Sequence, residues 1–180
     1  EIGLLTGLAT YMYFNHNSFA GTFPTEIGQL TAIGSFLYGR SNQFTGLLPT
    51  QLGKLTQMSF QLNMNKNAFT GGIPTELGQL TMFTGYMYFN HNSFTGSFPT
   101  ELGLLTGLVD NLQGNVNLLS GLIPTELGQL TAMEDTLYVN TNSLTGSVPT
   151  QLGLLTAFTG ALWLKSNELC GDLPTEVEAI

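Results

Sequence analysis

The chain has 180 residues, with 4 Lys and Arg against 12 Asp and Glu, and its formal net charge is −8. Four basic residues cannot neutralise a phosphate backbone or an anionic lipid surface, so nucleic-acid binding and direct membrane contact are excluded from the expected functions. Hydrophobic residues make up 42% of the chain, enough to bury a core, and no stretch reaches the 18 or so continuous apolar residues of a membrane span.

A repeat of 25 residues runs through the whole sequence. Proline recurs at this interval from Pro24 to Pro174, and each proline is followed by Thr, then Glu or Gln, then Leu, Ile or Val. We place seven repeats at residues 5–179, with residues 1–4 as the tail of an earlier repeat and Ile180 as the start of another. The sequence therefore predicts one solenoid segment with incomplete flanking repeats, because a single repeat cannot enclose its own apolar side chains.

The elements of one repeat are illustrated by the sixth, at residues 130–154. The alternation at residues 137–139 predicts a strand of about three residues with one buried face. Asn142 follows where the chain must turn, and we expect its side-chain amide to satisfy backbone groups of neighbouring repeats as part of an asparagine ladder. Gly146 supplies a permissive backbone for the bend. The segment after Pro149 predicts a half-turn of 3₁₀ or α-helix that ends at its glycine.

This repeat resembles the plant-type leucine-rich repeat, L-x-x-L-x-L-x-x-N-x-L-x-G-x-I-P-x-x-L-G, and the run PTELGQLT is also similar to large diatom families of leucine-rich-repeat proteins. The resemblance implies an α/β solenoid, a right-handed leucine-rich-repeat superhelix with short parallel strands on the concave face and irregular or 3₁₀ segments on the convex face. The sequence departs from the pattern in having one extra residue before the strand. Gly39 and Gly114 also replace the second apolar residue of their strands.

Aromatic residues recur at the strand positions that are expected to face outward on the concave side. They are Tyr11, Tyr13, Phe36, Tyr38, Tyr86, Tyr88, Tyr138 and Trp163. Since neighbouring strands lie about 5 Å apart, these side chains are predicted to form a stripe roughly 30 Å long. Tyr and Trp offer a large contact area at low entropy cost, so the stripe is a candidate surface for a peptide, protein or glycan ligand. The alternative is that aromatic residues favour strands and that ladders of Tyr stabilise the sheet.

Three of the four basic residues, Arg40, Lys66 and Lys165, come just after the strands. They are predicted to meet acidic groups of a partner at one rim of the concave face. The alternative is that they are solvated surface charges.

The residues with catalytic or metal-binding chemistry are sparse. Asp110 and Asp135 occupy the same position in adjacent repeats, next to Glu134, and such a pair could hold Ca²⁺ or act on a sugar. No other carboxylates converge there, and His16 and His91 are three repeats apart, too far to share a metal. We therefore expect no catalytic residues, no metal and no cofactor.

Threonine recurs twice per repeat, as at Thr6 and Thr25 in the first. Such columns could order water and bind ice, but we expect the hydroxyls to cap helical turns and satisfy backbone groups. Cys170 is the single cysteine, so it either pairs with a cysteine outside this chain or remains a buried free thiol.

The resemblance implies a non-catalytic, extracellular recognition module such as a receptor ectodomain, an adhesion protein or an inhibitor of a secreted enzyme. Its expected partner is a protein, peptide or glycan, and its expected location is secreted or on the outer face of the cell surface. The alternative function is a structural or ice-binding repeat surface.

Overall fold

The computed structural model describes residues 1–179, which form a stack of coils. Each of seven coils contributes one strand to each of two parallel sheets, and we number the coils by their strand in the first sheet. The first-sheet strands are Tyr11–Tyr13, Phe36–Tyr38, Gln61–Asn63, Tyr86–Tyr88, Leu112–Gln113, Leu137–Tyr138 and Leu162–Trp163. The second-sheet strands are Ala20–Thr22, Gln43–Leu47, Ala68–Gly71, Ser93–Gly96, Leu118–Gly121, Ser143–Gly146 and Glu168–Leu169.

Short helices connect the second sheet of one coil to the first sheet of the next. The 3₁₀ helices are Ile2–Leu4, Thr25–Gln29, Thr50–Lys54, Thr75–Gln79, Thr100–Leu104, Thr125–Gln129 and Thr150–Leu154. A short α-helix, Thr175–Glu178, takes the equivalent place near the end of the chain. The fold is the leucine-rich-repeat solenoid that the sequence predicts, with a ladder of parallel strands on one side and 3₁₀ turns on the other.

The first sheet keeps equivalent repeat positions side by side. Its strands follow chain order, and Tyr13 pairs with Tyr38 while Tyr38 in turn pairs with Asn63. Each step in this sheet therefore equals one repeat. Side chains at one repeat position form a straight column across the sheet, which is why a pattern in sequence becomes a surface in space.

The second sheet is a feature that the sequence analysis does not predict. Its strands are shifted by two residues relative to the repeat, so that Thr45 pairs with Ala68 and Thr70 pairs with Ser93. Equivalent positions are consequently not opposite one another. The segment escapes recognition because its strands are short and all but the last contain Gly, a residue typical of turns.

The core lies between the two sheets and the helices. Each first-sheet strand has one side chain that points into the core. Examples are Leu37, Met87 and Leu137, which are fully buried. The second sheet contributes a stack of phenylalanine rings, in which Phe69 and Phe94 lie 6.0 Å apart and nearly parallel. Coil stacking thus buries a continuous apolar interior that no single repeat could form.

The two strand glycines leave space that neighbouring aromatic rings fill. A Cβ on Gly39 would lie 2.8 Å from the ring of Phe14 and 2.9 Å from the sulfur of Met64. The ring of Phe98 occupies the equivalent space beside Gly114. These departures from the repeat pattern therefore compensate for large side chains nearby and leave the strand ladder intact.

The asparagine ladder predicted from the sequence is confirmed. In the fourth coil, the amide of Asn92 donates to the carbonyl oxygen of Met64 in the preceding coil at 3.0 Å and to that of Phe89 in its own coil at 3.0 Å. Its Oδ1 accepts a hydrogen bond of 3.1 Å from the backbone N–H of Phe69. One side chain therefore joins two coils at the turn where backbone pairing is interrupted.

The sequence analysis is wrong about two details of the helical segments. Gly28 lies within its helix, Thr25–Gln29, and does not end it. Glycine is needed there because a Cβ would lie only 2.7 Å from the carbonyl oxygen of Gln51 in the next coil. The threonine hydroxyl does not cap the helix either, since Pro24 occupies the N-cap and the Thr25 hydroxyl instead donates to the Glu26 carboxylate at 3.4 Å.

A second unpredicted feature is a column of left-handed residues immediately before the ladder asparagines. They are His16, Ser41, Lys66, His91, Val116, Thr141 and Ser166, with φ between 54° and 57°. Backbone of this kind is uncommon outside Gly, Asn and Asp, and it is most costly for a β-branched residue such as Val116. Gly146, which the sequence analysis places at the bend for its permissive backbone, has a positive φ of 74°.

Three further features concern the ends and surface of the chain. Cys170 is a free, exposed cysteine, so the alternative of a buried thiol is wrong. Ile180, which the sequence analysis assigns to a following repeat, lies outside the described residues. Within residues 1–179, no helix combines the length and the apolar character that crossing a membrane requires.

Candidate functional site

The outward side of the first sheet carries the eight aromatic residues singled out in the sequence, and we call this surface the tyrosine face. Alternation along the strand explains the arrangement, because Met87 points into the core while Tyr86 and Tyr88 on either side of it point away. Tyr11, Tyr13 and Trp163 are the most exposed of the eight, at 52%, 50% and 39% of their surface. The others are partly buried because the rings cover one another.

The rings form two clusters. The larger spans the first four coils, where Tyr13 stacks on Tyr38 at a centroid distance of 4.6 Å and Tyr86 lies 5.7 Å from Tyr88. The smaller joins Tyr138 and Trp163, which stack at 5.9 Å. The stripe is therefore interrupted at the fifth coil.

One member of the larger cluster was missed in the sequence. Phe60 is 39% exposed and bridges the rings of Phe36 and Tyr86, at centroid distances of 5.1 and 5.7 Å. It precedes the outward strand position, where other repeats carry Thr, Ser, Gly or Asp. An aromatic residue at a position that is otherwise small or polar was the available signal.

The three basic residues near the strands do not form one cluster. Lys165 belongs to the tyrosine face, because its Nζ lies 5.0 Å from the ring centroid of Trp163, within the range of a cation–π contact. Arg40 is partly buried in the second coil. Lys66 is exposed in the third coil, in the left-handed column. The expected basic rim is thus three separate charges along the stack.

Asp110 and Asp135 occupy the same repeat position in adjacent coils, two residues before their strands. The Asp135 carboxylate accepts hydrogen bonds from the amide of Asn111 at 2.8 Å and from the hydroxyl of Thr136 at 2.9 Å. Within residues 1–179 the Asp110 carboxylate has no such donor. Burial, and secondarily the negative charges of Asp135 and Glu134, raise the pKa of Asp110 above its usual range.

The carboxylates of Asp110 and Asp135 also contribute to a raised pKa of Tyr88. Burial raises the pKa of Tyr88 to about 12, with smaller contributions from Tyr86, Asp135 and Asp110. The Tyr88 phenol is therefore a neutral hydrogen-bond donor throughout the physiological range. Burial likewise raises the pKa of Tyr38, whose hydroxyl donates to the side-chain oxygen of Gln61.

A column of unpaired polar atoms runs parallel to the column formed by Tyr38 and its equivalents. Its members come two residues later in each repeat. Among the described residues, the buried side-chain polar atoms without a hydrogen-bond partner all belong to this column. They are Nε of Arg40 and Oδ1 of Asn65, Asn90, Asn115 and Asn140. Buried polar atoms are usually paired, so this line of exceptions is unusual for a folded protein.

The positions of the His, Cys, Asp and Glu side chains in residues 1–179 do not indicate a metal centre. Within residues 1–179, no group of three or more His, Cys, Asp or Glu side chains lies close enough to hold a metal ion. His16 and His91 are both exposed, in separate coils of the left-handed column. Asp110 and Asp135 come together, but as a pair without a third ligand of this kind.

The fold and the asparagine ladder define the class of protein: the chain has the plant-type leucine-rich-repeat fold. No protein-family model matches the sequence, and no curated protein matches it. Among solved structures, it is similar to the ectodomain of the plant membrane receptor kinase GASSHO1/SCHENGEN3 from Arabidopsis thaliana in complex with CASPARIAN STRIP INTEGRITY FACTOR 2. The sequence identity is 32% and the TM-score is 0.88, and the match covers 98% of this chain and 20% of the receptor chain.

Two other solved structures bear on function. The plant peptide hormone receptor RGFR1 in complex with RGF2 matches at 32% identity and a TM-score of 0.89, over 98% of this chain and 27% of that one. A plant ice-binding protein matches at 20% identity and a TM-score of 0.65, over 97% of this chain and 69% of that one, which shows the fold alone. The chain thus spans about a fifth to a quarter of the receptor chains. The likeness to diatom families has no support in these comparisons.

Proposed function

We propose that this chain is a non-catalytic recognition module that binds a peptide or protein on the tyrosine face. The observation that carries the proposal is that Tyr and Trp rings cluster outward, while the inward positions of the same strands are aliphatic or methionine. If aromatic residues served only to fill strands, they would have no reason to collect on one side. The similar receptors support a peptide ligand, since RGFR1 is described in complex with RGF2.

The binding energy would come mainly from the rings. Tyr and Trp bury a large apolar area with few rotatable bonds, and one such residue at the centre of an interface contributes about 2 kcal/mol or more. The polar side chain of Gln113, between the two clusters, would help to fix the orientation of the ligand. The setting we propose is extracellular, as in the receptor ectodomains to which the chain is similar.

The test is a selection from a random dodecapeptide library displayed on phage, followed by affinity measurement on variants. Replacing Tyr88 or Tyr138 with Ala should weaken the selected peptides at least tenfold, because each removes an aromatic anchor, while the melting temperature changes by only a few degrees. Leu118→Ala is the matched control, since Leu118 is 59% exposed but lies on the second sheet. A fall in stability with unchanged affinity would instead make the ring ladder a purely structural device.

Ice binding is a second candidate, and one observation favours it. The threonines that open the 3₁₀ helices form a regular exposed column, and their hydroxyls do not cap the helices. Thr100 and Thr125, for example, each donate to the carboxylate of the following glutamate at 3.2 Å. The second sheet offers no such column, because its two-residue shift places Leu47 beside Thr70 and Leu118 beside Thr95.

Thermal hysteresis separates the two candidates. An ice-binding column should give hysteresis that a bulky Thr100→Tyr change abolishes, whereas Tyr88→Ala should leave it intact. Absence of hysteresis at millimolar protein would remove this candidate.

A further inference from the structure

The interruption of the tyrosine face forms a slot with its own chemistry. Tyr88 pairs with Gln113, and Gln113 pairs with Tyr138, so the two rings stand on either side of a polar residue. Two strand spacings separate the positions of these rings, roughly 10 Å. We define the slot by these three residues. A flat group about 3.5 Å thick could enter it and stack on one of the rings.

One rim of the slot is negatively charged. Asp110 and Asp135 occupy the same repeat position, two residues before the fifth and sixth strands, and Asp110 is left without a donor among residues 1–179. The Asp135 carboxylate is already held by two hydrogen bonds. Asp110 is thus the carboxylate that is available to a ligand.

The other rim consists of acceptors that lack donors. Asn90, Asn115 and Asn140 follow Tyr88, Gln113 and Tyr138 by two residues, and the Oδ1 atom of each is buried without a partner among the described residues. Asn90 and Asn140 are more than nine-tenths buried, at 7% and 9% exposure. A ligand N–H group could reach these oxygens only after the asparagine side chains turn outward, because the oxygens themselves are covered.

The chain itself provides no cation for this site. Between Lys66 and Lys165 the sequence holds neither Lys nor Arg, and all three slot residues fall in this interval. The net charge of −8 adds a favourable field for a cation and an unfavourable one for an anion. Lys165, in the seventh coil, has its Nζ 5.0 Å from the ring centroid of Trp163. The rings of Tyr88 and Tyr138 and the free Asp110 carboxylate are therefore without a Lys or Arg side chain in their own coils.

We propose that the slot binds a guanidinium group, supplied by an arginine side chain of the peptide ligand. Guanidinium is planar, stacks on aromatic faces and carries five N–H donors, which suits a site built from rings and acceptors. An ammonium group would satisfy the charge of Asp110 but could not stack. This inference rests on the proposed peptide-binding function and specifies the ligand that the tyrosine face selects.

The direct test uses a blocked single-arginine peptide, acetyl-Gly-Arg-Gly-amide, titrated into the protein and followed by NMR. Its twin with citrulline in place of arginine has the same shape without the charge. We expect dissociation in the millimolar range, as for one side chain, with shifts centred on the side-chain amides of Gln113 and the three slot asparagines. The citrulline peptide should bind at least tenfold more weakly.

Asp110→Asn should weaken the arginine peptide about tenfold, because it removes the charge while retaining the side-chain shape. Asp172→Asn is the matched control, since it removes the same charge from an exposed position beyond the second sheet and should leave the affinity unchanged. Equal binding of the arginine and citrulline peptides, or shifts mapping away from the slot, would overturn the proposal. An equal effect of both Asn variants would overturn it too, because the attraction would then come from the net charge of the protein alone.

Failure of this inference can be told apart from failure of the proposed function. If dodecapeptides selected from the library depend on Tyr88 but show no enrichment in arginine, peptide binding stands and the slot assignment is wrong. If no dodecapeptide depends on the tyrosine face, the proposed function is wrong. Enrichment in arginine together with loss of affinity in Asp110→Asn is the result that supports both.

Discussion

The asparagine ladder gives the sharpest prediction for stability. Asn92→Ala removes a side chain that accepts from the N–H of Phe69 and donates to the carbonyl oxygens of Met64 and Phe89. Those carbonyls are each shared with a ladder asparagine of a neighbouring coil, at 3.2 Å from Asn67 and from Asn117. They remain satisfied in the variant. The N–H of Phe69 loses its acceptor outright.

The expected cost follows from this inventory. A buried donor left unpaired costs about 1–3 kcal/mol, and two lost hydrogen bonds add about 1 kcal/mol each. We therefore expect Asn92→Ala to lower the free energy of unfolding by about 3–5 kcal/mol. Much of the effect is interfacial, because the lost contacts join the third and fourth coils.

The matched control is Asn17→Ala in the first coil. Asn17 is exposed, and its amide donates only to Phe14 and Asn15 within its own coil. Its replacement should cost less than about 1 kcal/mol. Urea unfolding followed both by circular dichroism and by the fluorescence of Trp163 measures the difference and shows whether the stack unfolds as one unit. Similar losses in the two variants would refute the view that the ladder joins coils.

Three further predictions concern close packing, backbone strain and ionisation. Gly28→Ala should lower the free energy of unfolding in urea by about 3 kcal/mol, because its new methyl group meets the next coil. Gly7→Ala, whose methyl group would have no atom within 4 Å, should change it by less than about 0.5 kcal/mol. Equal losses in the two variants would contradict this. Val116→Asn should raise stability by about 1 kcal/mol, since Asn tolerates a φ of 56°, and no gain would mean that the strain is absent. Absorbance titration should show a tyrosine that ionises near pH 12 and is missing in Tyr88→Phe. Its pKa is raised from 10.0 to about 12, so its contribution to stability is complete below pH 10.0 and lost as the pH rises to about 12; ordinary titration of every tyrosine would contradict this.

Much of the fold could be predicted because the information is periodic. Proline, asparagine and glycine recur at fixed distances, and the short alternation in each repeat leaves few ways to bury its apolar residues. The strand ladder and the asparagine ladder follow from this pattern. The second sheet does not, because the residues after Asn17 and its equivalents form only short runs that a glycine interrupts. They pair only when a neighbouring coil offers a matching edge.

The candidate site divides in the same way. The outward direction of Tyr88 and Trp163 follows from alternation along a strand. The role of Phe60 as a bridge between rings, and the amide oxygens left unpaired beside the slot, depend on distances between coils that the sequence does not contain. Asp110 and Asp135 were recognisable as neighbours, but which of the two is free for a ligand depends on the hydrogen bonds of Asn111 and Thr136.

By itself, then, the sequence determined the period, the inward and outward residues of the first sheet and the ladder that ties the turns. It could do so because each depends on contacts that repeat identically from coil to coil. Only the tertiary structure decided the shift of the second sheet, the left-handed backbone at Val116 and the grouping of donors and acceptors on the tyrosine face. These depend on how one coil differs from the next, and such differences take effect only when the side chains are packed together.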